Sequence, residues 1–214
     1  MSTSVKPRLR GVSHEIGFFV ALVGGTWAVV TAASALARGI TAIYVVTLAL
    51  MLGVSASYHR GRWAAIVEQR WKRADHAMIF MFVAGTYTPI CVLGVAGVAG
   101  MKLLALVWIG AALGALQALL WARAPRGVAA ALYVALGWVM VAYWADVRSA
   151  LGTPMLRLLI VGGMLYTAGG IIYALRRPDP LPRWFGYHEV FHVLVIAACV
   201  CHFVVILRLA QTAA

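Results

Sequence analysis

The chain has 214 residues, 64% of them hydrophobic and only 11% charged. A water-soluble domain carries roughly 25% charged residues, so this composition excludes a soluble enzyme or binding module and points to an integral membrane protein. The net charge of +12 does not mark a nucleic-acid binder, because the basic residues sit in short clusters between apolar runs and form no stripe with interleaved aromatics.

The first 14 residues read as a short basic cytoplasmic tail. They lead into an apolar run too long for a signal peptide's core, with no small-residue cleavage site before it. Apolar runs of roughly 18 to 23 residues, enough to span a bilayer, then follow at 15–37, 40–59, 75–95, 101–121, 127–144, 154–175 and 187–207. They predict an all-α fold, a seven-transmembrane-helix bundle formed by residues 1–214 as one domain. The longest connection, 60–74, holds Trp63, Ile66, Val67 and Trp71 among basic residues. That spacing predicts a short amphipathic segment lying at the membrane interface. Cys91, Cys199 and Cys201 all fall inside apolar runs and read as small buried hydrophobes, not as a disulfide framework. Glycine pairs at 24–25, 162–163 and 169–170 predict close helix contacts.

Orientation follows from the basic residues. With the N-terminus inside, thirteen of them fall on the cytoplasmic side: Lys6, Arg8, Arg10, Arg60, Arg62, Arg70, Lys72, Arg73, Arg123, Arg126, Arg176, Arg177 and Arg183. Five fall outside: Arg38, Lys102, Arg148, Arg157 and Arg208. This bias predicts a cytoplasmic N-terminus and a C-terminus outside.

That topology brings polar residues to one depth. His59 ends the second run, Asp75 begins the third, and His188 and His192 lie in the first two turns of the seventh. Ser55 lies one turn from His59, and His14 and Glu15 open the first run. Histidines four apart share nearly one helix face, about 6 Å apart along the axis, so His188 and His192 can reach one ion. Three neutral imidazoles, from His59, His188 and His192, with an open fourth position describe a catalytic-type zinc site. Asp75 is placed to hold the zinc water or act as general base, and Ser55 to orient a ligand or steady a substrate carbonyl. The alternative is a set of interfacial side chains snorkelling to headgroups, or an interhelical hydrogen-bond network. It suits His59 alone better than three histidines with Asp75 at one depth. His188-Glu189-Val190-Phe191-His192 also matches the H-E-x-x-H helix of zinc proteases, with Glu189 as general base. His202 lies about 15 Å beyond His192, too far for the same ion, and is expected to bond to a neighbouring helix. His14 and His76 are expected at the interface.

Residues 8–15, 55–59, 73–76 and 188–195 resemble the hemolysin III family. These are bacterial relatives of the progestin and adipoQ receptors, including the adiponectin receptors, in a superfamily shared with alkaline ceramidases. The resemblance covers nearly the whole chain. It implies a seven-helix bundle with intracellular N-terminus, zinc on His59, His188 and His192, and a zinc water held by Asp75 with Ser55 alongside. The receptors carry a longer N-terminal region, so no hormone partner is implied here. They tend to have glutamine where this chain has Glu189, which makes the literal protease motif incidental.

The function expected is metal-dependent hydrolysis of lipid amides or esters, near the cytoplasmic face of a bacterial inner membrane. A non-enzymatic role in membrane-lipid homeostasis or signalling with structural zinc is the second reading, and a membrane zinc protease using Glu189 the third. Membrane lipids are the expected partners, homo-oligomers are compatible with the bundle, and Glu15 is an additional candidate at the site.

Overall fold

The computed structural model describes residues 6–95, 97–121 and 124–213. Met1–Val5 of the expected tail, and Arg123 of the basic set, lie outside the described residues. The elements are α1 (Val12–Val30), α2 (Ala35–Arg60), α3 (Ala65–Pro89), α4 (Gly97–Leu120), α5 (Arg126–Gly137), α6 (Trp144–Leu175) and α7 (Tyr187–Thr212). No strand occurs among the described residues, so the all-α expectation holds. Six stretches are long and apolar enough to cross a membrane, which makes this a multi-pass membrane protein.

One of these stretches, Arg126–Leu175, is 50 residues long and contains both α5 and α6, where the sequence predicts two separate runs. Between α5 and α6, Val139–Tyr143 forms a 3-10 turn. The Tyr87 hydroxyl ties this turn to α3, donating to the Gly137 carbonyl at 2.7 Å and accepting from the Met140 N–H at 3.1 Å. The expected connection at 145–153 is helical instead, because nothing before Gly152 breaks a helix. Gly152, at φ 67, interrupts α6, and Pro154 restarts it as a first-turn proline can.

The expected interfacial segment at 60–74 is also corrected. Only the four residues after Arg60 leave the helix, and α3 starts at Ala65. The residues Ala65–Ala74 contain no glycine or proline and are mostly good helix formers, so they add three turns in front of Asp75. At its far end α3 meets Pro89, which lacks an N–H and crowds the preceding turn, and the chain widens into a π-helix over Ile90–Val95. The first run stops at Val30, short of the expected residue 37, because the Ser34 hydroxyl accepts from the Ala37 N–H at 3.3 Å and starts α2.

The core is drawn from several helices at once. Tyr44, Phe80, Leu103, Val107, Val147 and Ile206 are fully buried. Val23, Val30, Ile109 and Leu113 face outward, as the surface of a bundle solvated by lipid requires. The arm before α1 lies along the connection between α6 and α7. The N–H groups of Arg8 and Leu9 donate to the carbonyls of Arg183 and Trp184, each at 3.1 Å, and the Arg8 guanidinium stacks on Trp184.

Candidate metal centre

Helix ends build this site. His59 sits in the last turn of α2, and His188 and His192 in the first two turns of α7. Their ligating atoms all lie within 4.8 Å of one another, a group that could hold a metal ion. The Nε2 atoms of His59 and His188 are 3.0 Å apart. His192 is 2% exposed, and its Nδ1 is buried with no partner. Asp75, 9% exposed, comes from α3 and places Oδ2 3.9 Å from His59 Nε2. The buried Ser55 hydroxyl neighbours the Asp75 carboxylate. The expected meeting of these five residues is thus realised geometrically, although Asp75 arrives three turns into α3 and not at its start.

His14 overturns its expectation. It is not interfacial but 3% exposed, and its ring stacks on His192 at 3.7 Å with planes 5° from parallel. Both of its nitrogens are buried without partners. Gly11 makes this approach feasible. Its φ is 81, and a Cβ there would stand 2.7 Å from the Cβ of His59, so only glycine lets the chain turn into α1 against α2. Sequence reasoning had a usable signal, since His14 shares the depth of the other histidines. It could not separate a buried imidazole from one at the headgroups. His76, half-buried, lines the same cavity as the cluster.

Both glutamates considered for the site are engaged elsewhere. The Glu15 carboxylate meets Arg60 at 2.9 Å on a side chain 44% exposed, so it faces out of the cluster. Glu189 is 2% exposed. One of its oxygens pairs with Arg10 and the other accepts the Gly186 N–H at 2.8 Å. It closes the start of α7 and latches the N-terminal arm.

Beyond the histidines a cavity of about 140 Å³ opens into the bundle. His14, Ser55, Asp75, His188 and His192 form one end of its lining, and the rest is largely apolar or aromatic, including Met51, Phe82, Tyr133, Trp138 and Ile160.

Residues 2–203 match the family of haemolysin-III-related proteins. The chain belongs to this family. It is 28% identical over 141 residues to "Hemolysin-3" of Bacillus cereus, covering 66% of this chain and 62% of that one. A "Hemolysin-3 homolog" of Bacillus subtilis is 28% identical over 133 residues, 62% of this chain and 60% of that one. An "Adiponectin receptor protein" of Drosophila melanogaster is 43% identical over 53 residues, 21% of this chain and 11% of the receptor. The chain therefore spans about three-fifths of the length of the bacterial relatives it matches.

Proposed function

We propose that this haemolysin-III-related protein is a zinc-dependent hydrolase of lipid amides or esters, working inside the membrane near the cytoplasmic face. The observation that carries the reading is the convergence of three imidazoles and a buried carboxylate beside an apolar cavity, which His188, His192 and Asp75 help to line. The donor set fits zinc. Two nitrogens bound tetrahedrally at 2.0–2.1 Å stand roughly 3.3 Å apart, close to the 3.0 Å between the Nε2 atoms of His59 and His188. The partnerless Nδ1 of His192 and the three neutral nitrogens match the ligands of catalytic zinc sites, which leave a fourth position open. Held by His59, His188 and His192, zinc would supply Lewis-acid polarisation of a carbonyl and would lower the pKa of water.

The remaining steps fall to the chain's own residues. The apolar walls take the hydrocarbon part of the substrate and keep bulk water out, which strengthens polar interactions at the histidines. Asp75 accepts the proton released as water adds to the carbonyl carbon, then returns it to the departing amine or alkoxide. As Asp75 takes up its proton, the Ser55 hydroxyl beside it is freed to donate to the carbonyl oxygen, where negative charge builds. Glu189 is held by Arg10 and the Gly186 N–H, which argues against the protease assignment.

The same reading carries seven crossings with the N-terminus inside. A straight helix of 50 residues would be about 75 Å long, more than twice the roughly 30 Å hydrocarbon core. α5 instead packs against α6, consistent with two passes. The test is lipid hydrolysis by purified protein in liposomes, with zinc quantified in the same samples. Asp75→Asn is expected to remove most turnover and keep the metal, while Glu189→Gln keeps most turnover. Loss of turnover in Glu189→Gln alone would install the protease-like assignment. A zinc-replete wild type that hydrolyses no lipid amide or ester points to the non-enzymatic role.

A further inference from the structure

The cavity has a second polar station that the hydrolytic chemistry does not use. His202 lies ten residues after His192 on α7, about 15 Å along the axis, and both line the cavity. Its Nε2 is 3.3 Å from the Leu159 carbonyl oxygen of α6. Only an N–H can bond to a carbonyl, so Nε2 carries the proton and Nδ1 of the neutral ring presents a lone pair. That Nδ1 is buried and has no partner. The bond to Leu159 holds the ring against α6, over Gly162, where any Cβ would stand 2.4 Å from Nε2 and leave the imidazole no room, and Tyr166 packs edge-on at 5.5 Å. Tyr166 is itself tied to Cys199, with Oη and Sγ 3.2 Å apart. A fixed acceptor in an apolar wall is costly unless a donor meets it.

Resting on the acyl-binding reading of the cavity, we propose that His202 is a specificity subsite for a hydroxyl on the lipid chain. The chain's carbonyl lies at the histidine cluster, and its hydroxyl donates to Nδ1 about 15 Å away. The preferred ligand is therefore a hydroxylated acyl chain whose hydroxyl matches that reach, not a plain saturated one. No bond is made or broken at this station. It selects substrate by hydrogen bonding, and an unhydroxylated chain leaves the imidazole unsatisfied.

The experiment measures binding, not turnover. Terminally hydroxylated fatty acids and their plain parents, from decanoic to palmitic acid, are titrated by calorimetry into the purified full-length protein in detergent. One length of hydroxy acid is expected to bind about tenfold tighter than its parent, the worth of one well-made hydrogen bond, with shorter and longer ones showing no gain. His202→Leu should abolish the gain while still binding the parents, and His202→Asn, which keeps an acceptor near the Nδ1 position, should restore part of it. Parents that bind with no gain for any hydroxy acid would overturn the subsite and leave the acyl cavity standing. A preference surviving in His202→Leu would overturn it too. If no acid of either kind binds, both readings fall. The wild-type comparison decides the matter even if a variant does not fold.

Discussion

Removing one imidazole takes away one of the three nitrogens that converge within 4.8 Å, and Glu15 and Glu189, held by Arg60 and Arg10, do not replace it. His59→Ala, His188→Ala and His192→Ala should each strip most of the zinc from protein that otherwise holds about one ion per chain. His202→Ala should keep it. Metal analysis of purified variants checks this, and full retention in any two of the three would remove the centre. Arg10 and Glu189 make a second residue-scale prediction. Arg10→Ala strands a carboxylate that is 2% exposed, a loss of up to about 3 kcal/mol. Glu189→Gln keeps an acceptor for the Gly186 N–H and should lower the unfolding midpoint in detergent less. Equal midpoints would mean that the pair latches nothing. That His59, His188, His192, Asp75 and Ser55 meet was legible in the sequence because they fall at run ends that alternating crossings bring to one side, and helical spacing put His188 and His192 on one face. His14 and the latch were not. Burial against a partner 178 positions away leaves no local pattern, and an H-E-x-x-H glutamate looks the same whether it serves a metal or caps a helix.

At the scale of elements, the apolar runs located the helices but not their ends. Hydropathy marks where a segment is apolar, whereas a helix continues until a cap or breaker stops it. α3 therefore runs back through the ten residues 65–74, six of them polar or aromatic, that composition assigns to the interface, and α6 begins at Trp144 because its breaker is Gly152. Gln69→Pro distinguishes the two pictures of 65–74. In a continuous helix it costs about 3 kcal/mol and should lower the unfolding midpoint markedly, whereas a loose surface segment would absorb it. The start of α1 gives a sharper case. Gly11→Ala combines a left-handed backbone, costing roughly 1–2 kcal/mol, with a Cβ driven against His59. Zinc affinity should fall along with stability, although residue 11 holds no ligand. Unchanged zinc affinity would show that His59 does not depend on the turn beside it.

The whole molecule is organised by which membrane face receives the site. Thirteen basic residues against five favour the cytoplasm for the end bearing His14, His59 and His188. The sign of that choice and the number of crossings are separable. If Arg126–Leu175 crossed once, six crossings would leave both termini on one side. If α5 and α6 form two passes, the termini are on opposite sides. A reporter after Arg208 therefore reads the parity, and a cysteine placed between Arg60 and Ala65 reads the sign, by its reactivity to an impermeant reagent added from outside to intact cells. The expected result is a C-terminus outside and a shielded cysteine at 61–64. A third label, beside Arg148 ahead of the Gly152 break, should react from outside if the chain turns back between α5 and α6. A C-terminus inside would leave six crossings. A reactive 61–64 would put the histidines at the outer face, and any lipid that reached them would then enter from the outer leaflet.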